Sequence, residues 1–226
     1  MRAPECRIAA CRVWLSAHQG QLDLGMAYTR DRSSLALEQG NPWWAAALLN
    51  GLSWCQRWSG DLPAAVESLT AAAEIRERLG ETSIRSTDLA DLALLQAWLG
   101  RETEAAAALE QSRSLGFQQD LVNPIFQATA EGLLWARRGE GARSEARFIE
   151  GLQLADEAEF LHTGAVLWLA RSIAREVLDD SAGALAAARE ALAAAEREGF
   201  VPPIRLIGAR VAQCEAMVAE DRRTTQ

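Results

Sequence analysis

Short helix-stopping breaks recur along this 226-residue chain at a nearly constant interval, and that interval limits its fold more than any other feature. Gly20, Gly60, Gly100 and Gly141 are separated by 40, 40 and 41 residues, and Asp179, in Leu178-Asp179-Asp180-Ser181, follows after 38. A second series interleaves with the first: Gly40, Gly80, Gly116, Glu159 and Gly199, the last three each followed by Phe. Two breaks per period leave room for two helices of roughly 15 to 18 residues in each unit. A fixed period with two helices is the signature of a stacked helix–turn–helix repeat, here five times over.

The aligned columns support this reading. Five residues after each first break stand Gly25, Ala65, Ala105, Ala146 and Ala184, all small, as a close helix crossing requires. Six residues before it stand Trp14, Trp54, Leu94, Trp135 and Ile173, and five before it Leu15, Cys55, Leu95, Ala136 and Ala174. Both columns are apolar throughout. Nine before come Cys11, Gly51, Asp91, Gly132 and Ala170, small apart from the aspartate. Pro4, Pro42 and Pro124 fall near predicted helix starts, where the missing N–H costs nothing, and Asn41 and Asn123 precede two of them as candidate N-caps.

The predicted architecture is all-α: a right-handed α-solenoid of five helical hairpins, one domain over 1–220. The units are 1–40, 41–80, 81–117, 118–160 and 161–200, with a capping helix over 201–220 and a frayed polar tail over 221–226. In unit one the second helix is expected to run unbroken over Leu22–Leu37. The capping helix should turn Ile204, Leu206, Ile207, Val211, Cys214 and Val218 toward the stack, with Arg205, Arg210, Glu215 and Glu220 outward.

Charge and composition narrow the function classes. Hydrophobic residues make up 49% of the chain and charged residues 24%, too apolar a balance for disorder. A net charge of −8, with every basic residue an Arg, has the wrong sign for binding nucleic acid by phosphate neutralisation. Apolar runs are interrupted well short of the about 20 residues a membrane helix needs. Glu5, Arg7 and Arg12 occupy the stretch where the apolar core of a leader would sit, so a cytoplasmic location is the expectation. Cys6, Cys11, Cys55 and Cys214 form no C-x-x-C pair, and with only His18 and His162 available no metal site or cofactor is expected.

Candidate chemistry mostly reduces to structure. Asp179-Asp180 falls at a repeat break, where Asp is a natural N-cap, rather than in a diphosphate-binding acidic cluster. Glu102 and Glu104 complement the dipole at a helix start. No G-x-S-x-G elbow or Cys–His signature accompanies either histidine. Of the eight tryptophans, Trp14, Trp54 and Trp135 share one repeat register and Trp58 and Trp98 another, which marks them as packing positions. Trp43 and Trp44 are adjacent at a helix start and cannot both face inward, so one of them is a candidate partner contact.

The segment Ser59-Gly60-Asp61-Leu62-Pro63-Ala64-Ala65 resembles the Gly-Asp-x-x-x-Ala turn of the tetratricopeptide superfamily, and Gly100–Ala105, with Arg101 in place of Asp, is a weaker copy. The longer period is similar to the superhelical sensor regions of large bacterial ATP-dependent regulators of the maltose-activator type. The phosphate-binding loop of their ATPase is missing, since G-x-x-x-x-G-K-[ST] needs a lysine. The resemblance implies that first helices line a concave wall. The position three before each break, read as outward-facing, holds Ala17, Arg57, Ala97, Arg138 and Glu176. Arg57 and Arg138, with the nearby Asn50, are therefore candidates to meet a carboxylate-bearing ligand through the planar guanidinium fork. The family's peptide-carboxylate clamp uses lysine and does not carry over.

The expected function is a non-enzymatic scaffold that binds a protein or peptide, a neighbouring domain or a small effector on its concave face. One alternative is the effector-sensing part of a transcriptional activator without its ATPase and DNA-binding modules. A second is an all-α enzyme, which needs two acidic clusters facing one cavity; the sequence supplies none.

Overall fold

A computed structural model describes residues 3–116, 122–158 and 163–224, and every regular element in them is an α-helix. In chain order these are α1 (Ala3–His18), α2 (Leu22–Arg30), α3 (Arg32–Glu38), α4 (Pro42–Ser59), α5 (Leu62–Arg78) and α6 (Ser83–Trp98). There follow α7 (Glu102–Leu115), α8 (Val122–Arg137), α9 (Gly141–Ala158), α10 (Thr163–Val177), α11 (Ser181–Arg197) and α12 (Val201–Thr224). Phe117, Glu159, Phe160 and His162 lie outside the described residues. None of the helices described is long and apolar enough to cross a membrane.

The first series of breaks is a single local motif used five times. Gly20, Gly60, Gly100, Gly139 and Asp179 all have positive φ, at spacings of 40, 40, 39 and 40. At Gly60, φ is 92°, its N–H reaches Arg57 O, and the next N–H, from Asp61, reaches Gln56 O. The same bond pair recurs at the other four positions, closing each helix by satisfying its last carbonyls. The fourth break is thus Gly139 and not Gly141. In Gly139-Glu140-Gly141 the spacing argument could not separate two glycines two apart; the first takes the left-handed turn and the second opens α9.

Moving that register by two residues repairs the columns. The small position becomes Gly25, Ala65, Ala105, Ser144 and Ala184, all buried, whereas Ala146 is exposed. Leu133 and Leu134, both buried, replace Trp135 and Ala136. Seven residues before each break lies a further buried small column: Val13, Ser53, Ala93, Gly132 and Ser172. At Gly132 the approach is tight, for a Cβ there would stand 2.6 Å from the Phe148 ring.

Consecutive helices pair into hairpins α4–α5, α6–α7, α8–α9 and α10–α11, with α6 against α8, α8 against α10, and α1 against α4. One apolar cluster runs from Trp54 to Ile207 and a second from Cys6 to Ile75, with Leu22 packed against both. The outer side of α1 differs from later first helices. Ile8, Cys11 and Leu15 are exposed there, Leu15 by 55%, while their repeat equivalents Leu48, Gly51 and Cys55 are buried beneath α1 and its neighbours.

Three helix expectations change. The run over Leu22–Leu37 breaks at Asp31 into α2 and α3, next to Thr29, whose hydroxyl donates back to Gly25 O and so favours a bend. Asn123 is the second residue of α8 rather than its cap, and its side-chain amide donates to Ser86 Oγ on α6. The C-terminal helix continues through the expected tail to Thr224. Asp61 and Asp180 do cap α5 and α11, accepting from Ala64 N and Gly183 N.

Candidate functional site: the groove beside the C-terminal helix

The site begins with Phe200, which follows the left-handed Gly199 and is buried. Its ring lies 5.4 Å from Trp58, 6.5 Å from Trp54 and 5.7 Å from His18, centroid to centroid. These contacts seat the start of α12 on α1 and α4 as well as on α11, so the last helix reaches the first unit. A linear end cap would touch only its predecessor.

A groove runs along α12 in two clefts that share Leu206 and Ala209. The first, about 310 Å³, is walled by Leu62, Trp98, Leu169, Ile173 and Leu206, with Arg57, Arg210 and Gln213 as its polar side chains. The second, about 610 Å³, is lined by Leu22, Asp23, Trp58, Val201 and Arg205 among others. Such volumes lie within the range of small-molecule sites.

Both arginines of the first cleft are held from behind. Arg57 is fully buried: Nη2 pairs with Asp91 Oδ1 on α6, and the guanidinium carbon lies 5.1 Å from the centre of the Trp54 ring. Among the described residues its Nε and Nη1 have no hydrogen-bond partner, nor has Trp58 Nε1. Arg210 donates from Nε to Ser172 Oγ at 3.0 Å and from Nη2 to Ser172 O at 2.9 Å, and pairs through Nη1 with Glu176. Arg210 was expected on the outer side of α12; it turns inward because Glu176 and Ser172 of α10 supply acceptors there.

Around Arg57 the joint between α4, α5 and α6 is polar. Asn50 Nδ2 donates to Asp88 Oδ1 at 2.8 Å, and the buried Arg76 of α5 pairs with Asp88 Oδ2. Burial also pushes the Cys55 thiol, on α4, up to about 11.

The five sequence-proposed contact residues therefore separate. Arg57 is at the groove, but as an inward, ion-paired residue and not on an outward face. Asn50 is tied to Asp88 in the same joint. Arg138, read as the column-mate of Arg57, is one residue before Gly139 and belongs to another register. It is exposed, bonded to Glu102 at 3.5 Å and 5.2 Å from the Trp135 ring, which Arg143 approaches to 4.7 Å. Trp135 is thus half-buried beneath Arg138 and Arg143 and belongs to no core column. Trp43 is 40% exposed and meets Trp44 edge-on at 4.5 Å, with Trp44 packed on the N-terminal cluster; neither lines the groove.

The residues that sequence reasoning missed are Asp88 and Asp91. The available signal was two carboxylates one turn apart in the otherwise apolar run Asp88-Leu89-Ala90-Asp91-Leu92-Ala93-Leu94-Leu95. Charges placed there must have buried partners. Among the described residues no three His, Cys, Asp or Glu side chains gather as a metal site. No protein-family model and no curated protein matches the chain.

Proposed function

We propose that this chain is a non-enzymatic binding module: a right-handed α-solenoid of five tetratricopeptide-like hairpins whose inner face is the groove beside α12. The single observation that carries the reading is the apolar groove with two buried arginines in its wall. The turn motif repeating at 40, 40, 39 and 40 residues supports a stack of equivalent units around it. The ligand is a protein segment, a neighbouring domain or a small effector lying along α12. Because α12 itself forms one wall, occupancy of the groove is felt directly by the C-terminal helix. That feature favours the sensing form of the reading, in which binding changes what α12 presents to a neighbouring module.

The test is affinity capture with the purified chain as bait, in parallel with groove variants Leu206→Arg and Ala209→Trp and the outer-surface control Ile149→Ser. A partner or effector retained by wild type and control and lost from both groove variants supports the reading. A partner indifferent to the groove variants but lost on Trp43→Ala moves the site to the start of α4 and refutes it.

A further inference from the structure

Three buried donors on the groove-lining turn of α4 meet no acceptor among the described residues: Nε and Nη1 of Arg57, which lines the first cleft, and Nε1 of Trp58, which lines the second. Buried polar groups in folded proteins are nearly always hydrogen-bonded, so three unpaired atoms on two consecutive residues are informative. All three are donors. What they lack is an oxygen acceptor, and the described residues offer none to them. The first cleft, which Arg57 lines, has two cations and no Asp or Glu in its wall, the counter-ions Asp91 and Glu176 lying behind. Apart from Gln213, its remaining side chains are apolar.

We infer that the cleft binds a small, mainly apolar monocarboxylate, with its carboxylate at the Arg57 side and its hydrocarbon part against Trp98, Leu169 and Ile173. The inference rests on the reading of the groove as the binding face and names its ligand class. A cleft of about 310 Å³ lies at the low end of small-molecule sites, which suits a compact ligand. A guanidinium with free N–H groups in a desolvated wall distinguishes a carboxylate from an alcohol of equal length, because charge-assisted bonds are about twice as strong as neutral ones.

The experiment is isothermal titration of the full chain with octanoate, 1-octanol and octylamine below their aggregation limits. Three variants accompany it: Leu206→Trp to fill the cleft, Arg57→Lys, and Arg57→Met with Asp91→Leu. The double variant removes the buried pair without stranding a charge. Octanoate is expected to saturate one site at least about tenfold tighter than octanol, the scale of one charge-assisted bond, with octylamine weakest. The preference should shrink in Arg57→Lys and vanish in the double variant, which still binds octanol. Leu206→Trp should lose both ligands. Should the double variant fail to fold, the ligand series and the other two variants carry the decision.

Saturable octanol binding that Leu206→Trp abolishes, without any preference for octanoate, overturns the carboxylate assignment while leaving an apolar binding groove. Binding unaffected by Leu206→Trp is surface adsorption and overturns it as well. If neither ligand saturates the folded protein, the small-ligand assignment fails, and capture of a macromolecular partner separately decides the groove.

Discussion

Units two and three solve the same packing problem in opposite ways. Three residues before the repeat turn, units one, three and four place Ala17, Ala97 and Ala136, all buried. Unit two places Arg57 there, and unit five Glu176. Alanine lets neighbouring helices close on one another, and Leu89, Ala93, Leu94, Ile125, Phe126 and Leu133 of α6 and α8 belong to one continuous apolar cluster. At the two interrupted positions a long charged side chain takes a partner from another element instead: Asp91 of α6 for Arg57, and Arg210 of α12 for Glu176. The first cleft lies between those two pairs. The contrast teaches that the groove which α12 closes has its polar wall where the alanine column is broken twice.

The sharpest way to break this comparison is to strand one charge. Asp91→Ala leaves Arg57 buried without its carboxylate and should cost about 3–5 kcal/mol in urea unfolding, whereas Arg57→Met with Asp91→Leu should be near neutral or stabilising. A cost for Asp91→Ala within about 1 kcal/mol of wild type, the scale of an ordinary surface pair, would show that the joint is solvated. The dense side of the comparison breaks by overpacking. Gly132→Val drives a side chain into Phe148, whose ring lies 2.6 Å from a Cβ at that site, and should cost about 1–3 kcal/mol. Gly208→Ala, which meets nothing within 4 Å, serves as its control and should not destabilise. Equal melting temperatures for Gly132→Val and wild type would argue against the tight α8–α9 crossing.

Those two joints also mark how far the sequence could be read. The turns were legible because their chemistry is local: a left-handed residue closes each helix with bonds to its own last turn, and Gly or Asp supplies it. The Gly139/Gly141 ambiguity alone carried Arg138 and Trp135 into columns where they do not belong. The direction in which Arg57 faces was not legible, since it depends on Asp91, 34 residues away on another helix. A charged residue on a helix reads as exposed until its partner is known. The groove was less legible still. It exists because Phe200 brings α12 back onto Trp54 and Trp58, a contact that no period of 40 encodes.

The turns allow a finer test of unit equivalence. Asp179 holds at φ 58° the place that glycine holds in the other four units. An L-residue there carries a steric cost that glycine avoids, so Asp179→Gly should raise stability by up to about 1 kcal/mol. Gly60→Ala, at φ 92°, should lower it by about 1 kcal/mol although nothing crowds the site. Opposite signs in the two urea curves would confirm that the five turns are interchangeable. A destabilising Asp179→Gly would mean that the aspartate side chain contributes more to its turn than the backbone costs.

The smallest effect separates the cysteines and reports on the same two regions. Cys11 lies on the uncovered side of α1, while Cys55 in α4 is buried with its thiol pushed from 9.0 up to about 11 by desolvation. At pH 8 a disulfide reagent should label Cys11 rapidly, and Cys6, Cys55 and Cys214 only as fast as the protein opens. The linkage sign follows from the raised value. Below 9.0 the thiol is neutral in both folded and unfolded chains and stability does not depend on it. Between 9.0 and about 11 the unfolded thiol ionises first, so stability falls as pH rises. Cys55→Ala should flatten that part of the pH–stability curve and leave stability at pH 7 lower only by the lost packing. A slope unchanged by the substitution would place the titrating group elsewhere, and labelling of Cys55 as fast as Cys11 would show that α1 does not cover α4 in solution.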